Sequence, residues 1–187
     1  MHNDYVTLLL VNMAAGLFIF AHYVLLGMNR PNQKGWVPAF GVVGLVAFCA
    51  GLHMTLTWPI REPYSWANMA FGELSVLLGA TFLAGAFAVA YGRYLLPVSL
   101  YAMFGGVAAI VLGVFIAGSG LTSQPVPASA GFIFTGAAGA MLPIVALCGR
   151  GVFVRMVEAV IAAAAGAIWL VLGYSAFWQH MVNLTAS

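Results

Sequence analysis

The chain has 187 residues, of which 64% are hydrophobic and 5% are charged, and its formal net charge is +2. A mean hydropathy of +1.04 excludes a soluble fold, because a water-facing surface needs polar groups. The low charge without a basic stripe argues against a nucleic-acid-binding protein. The composition therefore predicts an all-α integral membrane protein. We expect it in the inner (plasma) membrane, where the lipid bilayer surrounds it.

Six apolar segments follow one another along the chain. A helix needs about 20 apolar residues to cross a hydrocarbon core of about 30 Å. Glycine, proline or charged residues, which end helices, separate the segments. The predicted spans are residues 5–28, 37–60, 67–90, 98–118, 131–148 and 156–181. They leave room for short loops only, so we predict that residues 1–187 form a single six-helix transmembrane domain.

The basic residues of the connecting segments orient the predicted bundle. Arg61 stands alone on one side of the membrane. The other side carries Arg30, Lys34, Arg93, Arg150 and Arg155. Lys and Arg favour the cytoplasmic side of a membrane. The sequence thus predicts three helical hairpins that turn on the cytoplasmic side, with both termini outside, and three hairpins of one orientation indicate a ring around a central axis.

Polar residues within the spans fall into two layers. At a rise of about 1.5 Å per residue, four spans each place one polar residue roughly 10 Å below the outer surface. These residues are Asn12, His53, Glu73 and Tyr174. A second layer near the inner surface contains His22 and Glu158, with Arg155 one turn before Glu158 and able to pair with it. Apolar and aromatic residues, including Phe82 and Trp169, separate the layers.

The two layers suggest a pathway through the bundle. An ionisable side chain that faces lipid costs on the order of 3 kcal/mol, so we expect Glu73 and Glu158 to face the interior or a water-filled cavity. We predict that Asn12, His53, Glu73 and Tyr174 point toward one another or into one cavity. If Glu73 and His53 touch, they form a pH-sensitive couple. The alternative is that these polar side chains have a structural role and hold neighbouring helices together. The many glycines and alanines allow close packing of helices, either within the bundle or at a subunit interface.

Motifs for catalysis or cofactor binding are missing from the sequence. The histidines lack paired spacings such as HxxxH, and no nucleotide-binding loop or nucleophile elbow is present. His22 and His53 are separated by about 16 Å in depth, so they cannot ligate one haem iron. We therefore predict that the protein is not an enzyme and binds no metal or other cofactor.

One stretch of the chain carries a family resemblance. Residues 53–86, HMTLTWPIREPYSWANMAFGELSVLLGATFLAGA, resemble an uncharacterised six-span family of bacteria and archaea that is known as a domain of unknown function. The resemblance extends over most of the chain. It implies a six-helix membrane fold but no activity.

A second, more distant resemblance is to the AmiS/UreI family of amide and urea channels. The third-span pattern FGELSVLLGATFL (71–83) is similar to that family when one residue is skipped, and MVEAVIAAAAGAIWL (156–170) is similar to its sixth span. The resemblance implies six spans, termini outside, and a pore-associated role for Glu158. The fifth span here lacks the family's tryptophans, and Glu73 has no counterpart there, so the resemblance leaves the solute open.

Three functions remain open at this point. The first is a passive channel or facilitator for a small uncharged polar solute such as urea, a short amide, ammonia or water, built as a homo-oligomer. The second is an accessory or assembly subunit of a larger membrane complex, for example a respiratory one, for which stoichiometric partners are expected. The third is a haem- or quinone-binding membrane protein. Flux into liposomes, co-purified partners and a visible absorption band would separate them.

Overall fold

The computed structural model describes residues 5–148 and 151–185, without the side chain of Leu184. Helices and short connecting segments account for these residues, and no strand occurs among them. The six helices are α1 (Tyr5–His22), α2 (Val37–Thr57), α3 (Leu74–Ala90), α4 (Leu96–Ser119), α5 (Pro125–Cys148) and α6 (Val152–Thr185). All six, with their flanking turns, are long and apolar enough to span a membrane.

Three helices are extended by turns of different geometry. A π-helical turn, Tyr23–Gly27, continues α1, and a 3₁₀ turn, Lys34–Trp36, precedes α2. A second π-helical segment, Asn68–Glu73, leads into α3. Each π-helical turn contains wider i→i+5 hydrogen bonding, for example from the Met28 amide to the Tyr23 carbonyl at 2.8 Å.

The spans agree with the sequence prediction to within about four residues, except at the start of α5. We predicted residues 131–148, but the helix begins at Pro125. Proline is accepted in the first turn of a helix, because its missing N–H would have no partner there. The Pro125 and Pro127 positions therefore lie inside the helix and not in the loop, and Gly120, with φ of 64°, ends α4 before it.

The helices form a closed ring. Each helix packs against the helices before and after it in the chain, and α6 packs against α1. This arrangement confirms the ring that the three-hairpin pattern predicted. The closest packing follows the seams α2/α3, α4/α5 and α1/α6, and not the hairpins joined at the basic turns.

Glycines explain the closeness of two of these seams. A Cβ atom at Gly51 of α2 would lie 2.8 Å from the Gly72 carbonyl oxygen, and one at Gly113 of α4 would lie 3.0 Å from the Ser129 oxygen. Side chains at these positions would push the helices apart. In lipid, helix association depends on such backbone approach, because the lipid tails are as apolar as the side chains.

The ring has two ends that differ in their connections. The terminal face carries the start of α1, the end of α6 and the segments between α2 and α3 and between α4 and α5. The hairpin face carries the three other turns, with Arg30, Lys34 and Arg93 exposed there and Arg155 buried beside them. Arg150, which also entered the charge count, lies outside the described residues.

Candidate functional site

A cavity of about 140 Å³ lies inside the ring. Side chains from α1, α3, α4 and α5 line most of it, and Phe40 of α2 contributes near the hairpin face. It extends from Phe71 and Phe132 on the terminal side to Met28 and Leu95 on the hairpin side. The cavity therefore lies along the axis of the bundle.

The lining of this cavity is apolar, with a few hydroxyl groups. Among the described residues that line it, none carries a formal charge. The Thr81 hydroxyl donates to the Leu77 carbonyl at 2.8 Å, and the Ser99 hydroxyl donates to the Leu96 carbonyl at 2.7 Å. Because their protons are used by the backbone, these two oxygens are left as hydrogen-bond acceptors.

On the terminal side, three aromatic rings close the cavity; we name them the terminal seal. Phe71 at the start of α3, Phe132 of α5 and Trp169 of α6 are mutually packed, with ring centroids 5.4, 6.3 and 4.9 Å apart. The indole N–H of Trp169 donates to the Thr135 hydroxyl at 2.8 Å. Trp169 is 0% exposed, so the seal is fixed by packing from three helices.

A structured segment covers the terminal seal. Residues 58–67 connect α2 to the π-helical start of α3, and Ile60 and Trp66 pack onto the core beneath them. Asn68, which is fully buried, holds this segment: its amide nitrogen donates to the Ile60 carbonyl at 2.6 Å and to the Ser65 carbonyl at 2.9 Å. Its amide oxygen accepts from the Ile60 N–H at 3.1 Å.

On the hairpin side, the cavity meets a second and more polar one. This vestibule, of about 770 Å³, lies between the loop that contains Pro31–Lys34 and the turn at residues 88–95. Lys34 and Arg93 line it. Three residues line both cavities and form a collar between them, namely Met28, Leu95 and Ala146.

The outer polar layer predicted from the sequence is arranged differently. Glu73, His53 and Tyr174 are exposed at the outer surface of the ring, outside the lining of the central cavity. His53 stacks on Tyr5 at 5.1 Å. Asn12 is half-buried, and its amide donates to the Val43 carbonyl of α2 at 3.1 Å. The four residues share neither a cavity nor a depth: His53 lies beside Tyr5 of α1, whereas Asn12, two helical turns further along α1, lies beside Val43 of α2. This expectation is therefore corrected for the single chain, and any role of these residues in solute passage stays a prediction.

The residues of the predicted inner layer also lie in different surroundings. His22 is exposed and packs against Trp36 at 5.4 Å. Glu158 is 0% exposed, and within the described part of the chain neither carboxylate oxygen has a hydrogen-bond partner. The expected pairing with Arg155 is not formed: Arg155 donates to the Leu25 carbonyl at 3.4 Å instead. Glu158 faces the packed wall of the ring and lies outside the cavity lining.

The two aromatic residues that the sequence analysis singled out, Phe82 and Trp169, lie at or beside the cavity. Phe82 lines it and packs edge-on against Phe40 at 5.6 Å. Trp169 closes its terminal end through the seal. The sequence reasoning did not identify Met28, Leu95 or Asn68. A signal was available for Asn68, an amide at the start of a span directly after a proline-containing loop.

Six apolar helices in a closed ring around an uncharged axial cavity define a multi-pass membrane protein with a cavity at its centre. The chain belongs to the DUF981 family, described as a protein of unknown function, whose model matches residues 1–183. No curated protein sequence matches the chain.

A solved structure resembles this fold. The cryoEM structure of the Helicobacter pylori urea channel in the closed state superposes with a TM-score of 0.74 at 14% sequence identity, over 94% of this chain and 98% of that chain. At this identity the likeness shows a shared fold. The family match and the shared fold confirm the two resemblances and the six-helix, all-α prediction.

Proposed function

We propose that this protein is a passive channel for a small uncharged polar solute, of the class of urea, short amides, ammonia or water. The observation that carries the proposal is the order of three features along the axis of the bundle. A polar vestibule is followed by the apolar collar and then by the uncharged cavity inside the closed ring. The fold shared with a urea channel supports it.

The lining suits a neutral solute better than an ion. An ion in this cavity would lose its hydration shell without replacement, because the described lining carries no charge. The half-buried Thr81 oxygen offers a hydrogen-bond acceptor to the N–H groups of an amide, urea or ammonia. With the terminal seal in place, the geometry corresponds to a closed channel.

Flux into proteoliposomes tests the proposal. Purified protein should raise the permeability to urea, acetamide, ammonia or water above that of empty liposomes, measured by stopped-flow light scattering or an internal pH dye. Wild-type protein without flux for any of these solutes would refute the channel and favour an accessory subunit.

A matched pair of variants locates the path. Ala109 lines the cavity, whereas its neighbour Ala108 faces outward from α4. Ala109→Leu should fill the cavity and abolish flux, at an overpacking cost of about 1–3 kcal/mol. Ala108→Leu should leave flux unchanged. Equal flux in both variants would place the path outside this cavity.

The outer surface supports an assembly of several copies. Glu73 is exposed within a predicted span, and a charge that faces lipid costs on the order of 3 kcal/mol. We infer that a neighbouring subunit, a second copy of this chain, covers Glu73. Mass measurement of the purified protein tests this: a homo-oligomer is expected, and a stoichiometric foreign subunit would favour the membrane-complex alternative.

The hairpin face is proposed to face the cytoplasm, with the termini outside. The basic residues Arg30, Lys34, Arg93 and Arg155 at that face support this orientation. A cysteine at Ser123, which is exposed between α4 and α5, should react with an impermeant reagent added to intact cells. Reaction only after permeabilisation would reverse the orientation.

A further inference from the structure

At the hairpin end of the cavity, the side chain of Gln33, in the loop between α1 and α2, forms hydrogen bonds next to the collar. The Tyr23 hydroxyl donates to the Gln33 amide oxygen at 2.7 Å. The Gln33 amide nitrogen donates to the Met28 carbonyl at 2.8 Å and lies 3.4 Å from the Arg30 carbonyl. Gln33 therefore connects the backbone of a collar residue to a buried tyrosine of the ring.

The segment that Gln33 holds has unusual backbone geometry. Tyr23 and Met28 are the two ends of the π-helical turn, and their backbones are joined by an i→i+5 hydrogen bond. π-helical turns are rare and are frequently found at functional sites. Tyr23 is 3% exposed and packs edge-on against Trp36 and Phe40, at 5.6 and 5.0 Å.

Packing therefore fixes the Tyr23 end of the turn, while hydrogen bonds from a loop fix the Met28 end. We infer that Gln33 is a positioning residue that latches the collar shut. Its amide holds the Met28 backbone against the axis, and the Tyr23 hydroxyl orients that amide. Release of Gln33 frees the end of the π-helical turn and moves Met28 away from Leu95, which joins vestibule and cavity. The inference rests on the proposed function, because the latch controls the path proposed above.

Reactivity of a cysteine in the collar measures the latch without any transport. The reporter is Ala146→Cys, at the third collar residue, in full-length protein in which Cys49 and Cys148, both exposed, are replaced by alanine. We expect Gln33→Leu to increase the rate of reaction with a small polar thiol reagent about fivefold, the change in population that follows loss of about one net hydrogen bond. Gln179→Leu, the same substitution at an exposed position near the end of α6, should leave the rate unchanged. A cysteine at Tyr94, exposed at the vestibule rim, should react equally in all variants.

Tyr23→Phe supplies a second test that keeps the shape of the core. It removes the hydroxyl that orients Gln33, so it should raise the collar reaction rate less than Gln33→Leu does. The double variant should react no faster than Gln33→Leu alone, because both changes remove the same hydrogen bond. Additive effects would show that Tyr23 and Gln33 act separately and would overturn the latch. Circular dichroism and a single elution peak identify variants that have failed to fold, and Tyr23→Phe then decides the question.

Flux separates this inference from the channel proposal. Faster collar reaction together with faster urea flux supports both. Faster collar reaction in a protein that passes no solute supports the latch and refutes the channel. Unchanged collar reaction in a protein that does pass solute refutes the latch and leaves the channel standing.

Discussion

The two ends of the axial cavity are closed in different ways. At the terminal end, Phe71, Phe132 and Trp169 pack against each other from three separate helices. At the hairpin end, the collar residue Met28 is positioned by hydrogen bonds from Gln33, at the end of a π-helical turn.

The difference indicates which end opens at lower cost. Opening the terminal seal requires large buried rings to leave a packed core, and truncating one such ring costs about 3–5 kcal/mol. Opening the collar requires the exchange of loop hydrogen bonds with water, each worth about 1 kcal/mol net. We expect the collar to fluctuate and the terminal seal to need a specific rearrangement.

The largest effect is expected from Trp169→Ala. The indole is 0% exposed and holds the seal together, so its removal should lower the free energy of unfolding by about 3–5 kcal/mol and open the terminal end. Thermal unfolding in detergent and urea flux measure the two effects. Leu170→Ala, one residue further and outward-facing, is the control. A folded Trp169→Ala protein with wild-type flux would show that the seal does not limit passage.

Asn68→Ala should have the next largest effect. The change leaves the Ile60 backbone groups and the Ser65 carbonyl without their partner, at a cost of about 1–3 kcal/mol. The segment 58–67 should detach from the terminal face, which faster hydrogen exchange of its amides would report. Asn32→Ala, in an exposed loop at the other end, serves as the control. Unaltered exchange in residues 58–67 would mean that packing of Ile60 and Trp66 is sufficient.

Leu95→Ala tests the weaker end. Leu95 is half-buried, so truncation should cost about 1–2 kcal/mol, less than the range for a fully buried leucine. Flux should nevertheless rise, because the collar widens. Leu100→Ala, on the outer face of α4, should leave flux unchanged. A loss of stability as large as that of Trp169→Ala would remove the distinction between the two ends.

The smallest effect on flux is expected from Glu73→Gln. Glu73 lies outside both ends and outside the cavity, so flux per folded protein should stay within roughly twofold, as for surface substitutions. The oligomeric state should change more than the flux if a subunit covers this residue. A flux that loses its pH response in Glu73→Gln would restore the sequence-based prediction that Glu73 and His53 form a pH-sensitive couple beside the path.

The sequence was sufficient for the spans and the ring, because length, apolar runs and basic turns determine them. It was not sufficient for the faces of the helices. Counting residues gives depth only where the end of the span is correct: α2 ends at Thr57 and not at residue 60, so His53 lies nearer the terminal face than Asn12. Which side of a helix faces the axis is encoded in soluble proteins by apolar periodicity. A membrane helix is apolar on its lipid side as well, so that signal is weak, and Glu73 could not be distinguished from a lining residue.

The sequence also could not predict which side chains contact each other between helices. Glu158 sits one turn after Arg155, a spacing that favours an ion pair, yet Arg155 contacts the Leu25 carbonyl of the π-helical turn. That contact exists because α6 closes the ring against α1, a neighbour far away in the chain. Similarly, Met28 and Leu95 line one vestibule only because two hairpin turns lie side by side around it.

The π-helical segment Asn68–Glu73 bears on how related chains should be aligned. An i→i+5 turn accommodates one residue more than an α-helical turn over the same rise, so it is where a single-residue insertion can be absorbed without rotating the rest of the helix. The similarity of residues 71–83 to the amide and urea channels requires one skipped residue. A relative that lacks this residue would keep Gly79 against α2 by running through the segment as a plain α-helix. Its alignment gap would then mark a local change of winding in an otherwise equivalent span.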